Sequence, residues 1–253
     1  MRVSVRWKLL SAAALLLAAL AGCPLRPPVP PPPSAALPEQ PAPHEGMPYD
    51  IVPDASLLTV LVYRGGTLAS AGHNHVIASH ELSGTIYLPV DLMRSSFEVH
   101  IPLATLTVDE EALRTQQGPA DFPPNVSEGA REGTRRNMLG PTLLDAEHHP
   151  EIVLQALRLE RPAPGAAAAS ETVLARVQSA VRGQVRTFAV PVRYERESAT
   201  LVLSGETALR QSDLGLTPFS AMLGALQVQD EMQVAFRIVA HLASVTRSPA
   251  GQE

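Results

Sequence analysis

The chain has 253 residues, 45% of them hydrophobic and 18% charged, and its 20 basic and 25 acidic side chains give a formal net charge of −5 at pH 7. This mildly acidic balance excludes the basic surface on which nucleic-acid binding depends, so no nucleic-acid partner is expected. The single cysteine excludes a disulfide within the chain, and the core therefore has to be stabilised by burial.

The first 22 residues have the features of an export signal. Arg2, Arg6 and Lys8 are followed by the apolar run Leu9–Leu20, which at about a dozen residues is shorter than a membrane-spanning helix. The next residues, Leu20-Ala21-Gly22-Cys23, resemble the lipobox of bacterial lipoproteins. That resemblance implies cleavage before Cys23, acylation of this residue and a membrane anchor. The alternative is an ordinary cleaved signal peptide that contains a cysteine.

Residues 23–48 form a proline-rich segment that follows the cleavage site. Pro24, rather than Asp, follows the cysteine, so the familiar inner-membrane retention signal is missing. The expected location is the cell envelope, lipid-anchored at the periplasmic face of the outer membrane in a Gram-negative host. The proline-rich composition favours an extended linker that reaches about 75 Å. At the other end of the chain, residues 244–253 are expected to be a disordered tail.

Between these segments, apolar and polar residues alternate with a period of two, which is typical of half-buried strands. Two-faced strands favour an antiparallel sheet. Eight such strands without disulfides predict an all-β closed barrel or a sandwich. The predicted strands are Leu57–Tyr63, Leu82–Leu88, Phe97–Ile101, Ile152–Leu159, Val173–Val177, Phe188–Tyr194, Leu201–Leu209 and Met232–Leu242.

Two stretches break the alternation. Residues 108–149 form a long insert in which Ser127 is positioned to cap a helix running to Leu139, a segment suited to covering one open end of a barrel. The Ala- and Pro-rich composition of Pro162–Ala169 predicts a solvent-facing hairpin tip.

Histidines supply the most conspicuous short pattern, Gly72-His73-Asn74-His75. Two histidines at positions i and i+2 of a strand share a face, which suits a metal, and His148-His149 could add a ligand. Three interpretations stay open: structural histidines, residues at a ligand pocket or tunnel mouth, and a metal or haem site. No catalytic constellation is recognisable, so an enzyme is not expected, and no cofactor is predicted.

Several short motifs, in order along the chain, resemble the YceI-like family of secreted lipid-binding proteins. The best stretch ends in a His-Pro-x-Ile pattern before a strand. The motifs are Tyr49-Asp50-Ile51-Val52-Pro53-Asp54-Ala55-Ser56, Ser83-Gly84-Thr85-Ile86, Ser95–Pro102, Arg135-Arg136-Asn137-Met138-Leu139 with Leu144–Ile152, Leu209–Phe219 and Ala225–Met232. Together they cover essentially residues 49–242.

The resemblance implies an eight-stranded antiparallel barrel of lipocalin type over residues 49–243, with a short helix in an insert near one mouth. It also implies that the interior binds an apolar chain such as an isoprenoid lipid or a quinone. Alternation within the predicted strands then nominates pocket residues, while two phenylalanines outside strands could form a lid or mouth. The pocket candidates are Phe97, Val99, Phe188, Val190, Phe236 and Ile238, and the lid candidates are Phe122 and Phe219.

Three hypotheses for function follow from these features. The first is a non-enzymatic carrier or scavenger of an amphiphilic isoprenoid-like lipid, held at the membrane by its lipid anchor. The second is an envelope stress protein with a solid barrel that works through protein interaction. The third is a metal- or haem-binding module that uses His73 and His75. A second copy of the chain is a further candidate partner, as a homodimer.

Overall fold

The computed structural model describes residues 40–162 and 171–244. Several predicted segments lie outside the described residues. They are the signal peptide, Cys23, the linker up to residue 39, residues 163–169 of the hairpin tip and nearly all of the tail. The strands are β1 (Met47–Ile51), β2 (Leu57–Gly65), β3 (His75–Ser79), β4 (Ser83–Leu88), β5 (Ser96–Pro102), β6 (Thr107–Val108), β7 (Glu151–Glu160), β8 (Thr172–Val181), β9 (Gln184–Glu197), β10 (Thr200–Arg210), β11 (Ser220–Ala221) and β12 (Leu226–Leu242).

These strands form a closed antiparallel barrel with eight staves. We call a stave one full-length element of the barrel wall, made of a single strand or of two consecutive strands. Three of the staves are bent, and each consists of two consecutive strands: β1 with β2, β3 with β4, and β5 with β6. The first bent stave pairs with the second in nearly continuous register, as the pairs Asp50↔Thr85 and Leu58↔Ser79 show. The remaining staves are β7, β8, β9, β10 and β12, each hydrogen-bonded to its neighbours in the chain.

Strand β12 closes the barrel. One of its edges pairs with β10, and the other pairs with β2 and, near its end, with β1 at Tyr49↔Leu242. The prediction of an all-β, eight-stranded barrel is confirmed, and each predicted strand lies within or overlaps an observed one. The alternation did not reveal β3, in which four consecutive residues are buried, or β6 and β11, which have two residues each.

Two short helices interrupt the strands, α1 (Glu111–Gln116) and α2 (Glu128–Leu139). Ser127 caps α2 as predicted, because its Oγ accepts a hydrogen bond from the Ala130 amide at 3.3 Å. Both helices follow β6 and lie at the end of the barrel where β2, β6, β8 and β10 finish, which we call the helical end. Within the described residues, neither helix combines the length and the apolar character that crossing a membrane requires.

The barrel begins slightly before the predicted domain boundary at residue 49. Strand β1 starts at Met47, and the preceding residues already contact the barrel wall. The Ala42 amide donates to the Ala156 carbonyl oxygen at 2.8 Å, Ser96 Oγ donates to the Pro43 carbonyl oxygen at 3.0 Å, and the His44 ring stacks on Tyr87. The final residues of the predicted linker therefore pack against the domain.

Two glycines provide a matched test of this backbone. Gly84 has φ of 128°, and a Cβ added there would lie 2.0 Å from the Glu98 carbonyl oxygen on the paired strand. Gly129 is exposed within α2 and has open space around it. We expect Gly84→Ala to lower the free energy of unfolding by more than about 1 kcal/mol, and Gly129→Ala to raise it by about 0.5–1 kcal/mol. Urea unfolding measures both, and equal effects of the two substitutions would contradict the register at Gly84.

Candidate ligand-binding cavity

The barrel encloses a cavity of about 260 Å³. Successive side chains of a strand point to opposite faces, so every second residue of each stave faces inward. All eight staves contribute to the wall, and 28 of the 31 lining residues are apolar. The strand residues that line it include Leu58, Val60, Ile86, Phe97, Val99, Ile101, Leu154, Val177, Phe188, Val190, Val192, Leu203, Leu209, Val234, Phe236 and Ile238.

The three polar residues of the cavity wall, Ser179, Thr207 and Gln211, all lie toward the helical end. Gln211 is buried, and its side-chain amide donates to the Gln229 carbonyl oxygen at 2.8 Å, which holds it in place. The wall at the other end of the barrel is apolar and includes Phe97 and Phe236. The wall is therefore almost wholly apolar, and its few polar residues lie toward the helical end.

Segments outside the strands complete the wall at the helical end. Met138 at the end of α2, with Leu143 and Leu144 just after it, lines the cavity from one side. Leu214 and Leu216, in the connection after β10, line it from another. Period-two alternation carries no information about such segments, which explains why sequence reasoning missed these five residues.

One side of the wall lacks backbone pairing. Strands β9 and β10 pair only from Thr200↔Glu197 to Ser204↔Arg193, although both continue toward the helical end. At Gly205 they approach so closely that an added Cβ would lie 2.3 Å from the Pro191 carbonyl oxygen, and beyond this point they separate. Across this gap, which we call the β9–β10 seam, side chains rather than a hydrogen-bonded ladder form the wall.

The six pocket candidates named from alternation all face this cavity: Phe97, Val99, Phe188, Val190, Phe236 and Ile238. The two lid candidates are not among the lining residues. Phe122 is buried outside the barrel against Val76 and Leu113, and Phe219 lies just before β11. Contact of any of these residues with a ligand remains a prediction.

The family model described as the YceI-like domain matches residues 49–240. The chain belongs to the YceI-like family. YceI-like domains are binding domains, and their barrel fold supports lipid binding in general. A comparison with curated proteins finds no match.

The chain is also similar to solved structures. BcnA from Burkholderia cenocepacia has a TM-score of 0.53 and 16% identity, over 76% of this chain and 99% of BcnA. A polyisoprenoid binding domain from Saccharophagus degradans, implicated in plant cell wall breakdown, has a TM-score of 0.49 and 13% identity, over 78% and 99%. The YCEI protein of Campylobacter jejuni has a TM-score of 0.45 and 9% identity, over 64% and 82%. At this identity BcnA establishes the fold alone.

On the outside of this YceI-like barrel, a buried polar cluster attaches the insert to β3. Asp109 lies at its centre, with one carboxylate oxygen 2.6 Å from His75 Nδ1 and the other 2.6 Å from Arg114 Nη1. The Val76 amide also donates to Asp109, and the Arg114 guanidinium donates to the carbonyl oxygens of Asn74 and Pro123. These bonds link the start of α1 to the strand that carries the predicted histidine pattern.

Helix α2 joins the same cluster through Thr134, whose Oγ1 lies 3.2 Å from His75 Nε2. Both ring nitrogens of His75 are therefore engaged by protein groups. The His73 ring centroid is 6.2 Å from that of His75, and His148 pairs with Asp145 elsewhere. Among the described residues, no group of three or more His, Cys, Asp or Glu side chains could hold a metal ion. The geometry favours the structural interpretation for His75.

The charges of the cluster affect the ionisation of Asp109. Burial opposes its ionisation, but hydrogen bonds from His75 and the Val76 amide, with the charges of His75 and Arg114, outweigh burial and lower the pKa of Asp109 below its ordinary value of 3.8. A carboxylate with a lowered pKa stabilises the fold above its ordinary pKa, and this contribution is lost as the pH falls through the lowered value.

A second hollow of about 560 Å³ lies on the outer face of the barrel. Charged side chains, among them Arg193, Glu206 and Arg237, line it together with Phe236. It is larger than the interior cavity but more open to solvent, so a ligand there would keep more of its surface in water. The interior cavity is the better candidate for an apolar ligand.

The Asp109 cluster can be tested with Asp109→Asn. This change leaves the buried Arg114 without a counter-charge, so we expect the free energy of unfolding at pH 7 to fall by about 3 kcal/mol. Because the lowered pKa is removed, the variant should also lose less stability than the parent protein between pH 4 and pH 3. Urea unfolding at several pH values measures both effects.

Glu132→Gln is the matched control, since Glu132 pairs with Arg136 at 3.7 Å on the exposed surface of α2. We expect its unfolding midpoint and pH dependence to follow those of the parent protein. An Asp109→Asn variant with the stability and acid response of the parent would show that the cluster does not hold the insert.

Proposed function

We propose that this protein binds an amphiphilic isoprenoid-like lipid or a quinone inside its barrel, as a non-enzymatic carrier or scavenger. The observation that carries the proposal is the almost wholly apolar wall of the interior cavity. Of its lining residues, 28 are apolar, and the three polar ones lie toward one end. An apolar chain gains about 25 cal/mol for each Å² of surface that it removes from water. A few placed polar groups then set the orientation of the ligand.

We propose that the ligand lies along the barrel with its apolar chain away from the helical end. The chain would extend toward Phe97 and Phe236, where the wall offers only apolar contacts. The headgroup would lie at the helical end, toward which the three polar residues of the wall, Ser179, Thr207 and Gln211, are placed.

The two competing hypotheses have less support. A solid barrel would leave no room at its centre, whereas this barrel has a cavity whose wall comes from every stave. A metal- or haem-binding role for His73 and His75 would need free ring nitrogens, and Asp109 and Thr134 already engage those of His75.

The proposal predicts that filling the cavity abolishes binding. Val234 faces the cavity, and Val234→Trp places an indole in the space that the ligand would occupy. We expect at least a tenfold loss of affinity for geranylgeraniol, about 1.4 kcal/mol. Displacement of the fluorescent fatty acid cis-parinaric acid and native mass spectrometry both measure this loss.

Gln233→Trp is the matched control, because it adds the same side chain one residue earlier on β12, where the residue is exposed on the outer face. Its affinity should equal that of the parent protein. If both variants bind geranylgeraniol as the parent does, or if the parent binds neither probe and copurifies with no apolar molecule, the proposed function is wrong.

We further propose that the protein is a lipoprotein anchored in the cell envelope through Cys23, at the periplasmic face of the outer membrane in a Gram-negative host. The support is the signal-like stretch before Cys23 and its status as the single cysteine of the chain. Several acyl chains on one residue are enough to hold a protein stably at a bilayer.

For the anchor, we expect Cys23→Ser to lose incorporation of radiolabelled palmitate in cells. The parent chain should incorporate the label and partition into the detergent phase of Triton X-114. Equal labelling of the parent and the variant would contradict lipidation at this residue.

A further inference from the structure

Three exposed apolar side chains stand together at the helical end of the barrel. Strand β11 pairs with the start of β12 at Ala221↔Leu226, and the turn between them carries Met222 and Leu223. Leu223 is fully exposed, Met222 is 69% exposed and Leu68 is 41% exposed. The Leu68 amide donates to the Ala225 carbonyl oxygen at 2.7 Å, which joins the two loops. We call Leu68, Met222 and Leu223 the apolar tip.

The backbone holds the tip in a costly conformation. Met222 has φ of 52°, Leu223 has φ of 56°, and Gly224 follows with φ of 89°. The left-handed region is unfavourable for residues with a Cβ, and two consecutive cases with large side chains are unusual. Burial cannot compensate at Leu223, since this side chain is wholly in solvent. Strain of this kind is typical of segments that act on a partner.

The two chain segments that carry the tip contain no charged residue, although the preceding Arg64 donates to the Gly72 carbonyl oxygen at 2.9 Å. Residues 214–229 and residues 65–72 contain no Asp, Glu, Lys, Arg or His, although 18% of the chain is charged. Threonine, serine and glutamine supply the polar groups there. A segment that enters the interface of a lipid bilayer must leave bulk water, and charged side chains make that transfer expensive. Large apolar side chains on an uncharged, protruding turn therefore suit a lipid surface.

The tip is continuous with the cavity wall. Leu214 and Leu216, which line the cavity, begin the same uncharged segment that ends in the tip. The side chain of Gln184 on β9 lies against Gly215, so this segment also lies beside the β9–β10 seam. A surface that contacts the tip would thus face the end of the cavity where its polar groups lie.

We propose that the apolar tip docks the helical end of the barrel onto a lipid bilayer. Docking places the helical end of the cavity at the membrane interface, from which an amphiphilic molecule can pass beside Leu214 and Leu216 into the barrel. The use of this surface for cargo transfer rests on the proposed function, whereas contact between the tip and the bilayer does not.

The single cysteine of the chain allows a direct test. In the full chain carrying Cys23→Ser, a cysteine introduced as Leu223→Cys is labelled with an environment-sensitive fluorophore. Val90→Cys is the matched control, because Val90 is also a fully exposed apolar residue but lies in the connection after β4, at the opposite end of the barrel. Both variants share the same N-terminal segment, so a difference between them reports which end meets the membrane.

On addition of vesicles of phosphatidylcholine and phosphatidylglycerol, we expect the emission at position 223 to move to shorter wavelength. Lipids that carry a nitroxide near the headgroup should quench it, and the label at position 90 should not respond. No response at position 223, or equal responses at both positions, would overturn the proposal. A shift at position 223 that depends on protein concentration without vesicles would also overturn it, in favour of a second copy of the chain at the tip.

A second measurement separates docking from cargo binding. The double variant Met222→Ser and Leu223→Ser should bind geranylgeraniol in solution as the parent does, because neither residue lines the cavity. Its uptake of geranylgeraniol from vesicles should be slower by about tenfold or more, since the loss of one buried leucine is enough for that factor. Unchanged uptake would overturn docking as the route of transfer, while weak binding by the parent protein itself would count against the proposed function alone.

Discussion

Closure of the sheet by β12 is the constraint on which the rest of this structure depends. The 17 residues of this strand pair with β10 along one edge and with β2 and β1 along the other, so the first and last staves meet. A barrel of eight strands has an interior wide enough for side chains or one small ligand. Alternation then decides which residues face that interior, and the size of those side chains decides how much space is left.

The two ends of the cavity wall differ because β9 and β10 stop pairing before the helical end. Beyond Ser204 and Arg193 the edges of β9 and β10 separate, and the segment that contains Leu214 and Leu216 completes the wall instead of a ladder. The polar residues of the wall lie toward this end, and the uncharged turn with Met222 and Leu223 extends from it. An apolar interior, a partly polar end and an exposed apolar tip thus follow one another along a single side of the molecule.

The insert before β7 is held both by apolar packing, to which Leu113, Phe122 and Met138 contribute, and by a buried ionic cluster. Asp109 connects His75 on β3 to Arg114 on α1, and Thr134 brings α2 to the same histidine. Burying such a pair adds little stability compared with apolar packing, but removing one partner is expensive. The cluster therefore acts mainly to specify where the insert lies, which in turn keeps Met138 and Leu144 in the cavity wall.

By itself, the sequence determined the properties that depend on neighbours along the chain. Alternation located the eight staves and selected side chains such as Val99, Val190 and Ile238 that face inward, and Ser127 marked the start of α2. The family motifs, read in order, pointed to the barrel. Only the tertiary structure decided the seam, the cavity-lining loops and the pairing of His75 with Asp109. The physical reason is range: a period of two is a local property, whereas closure and buried charge pairs join residues that lie far apart in the chain.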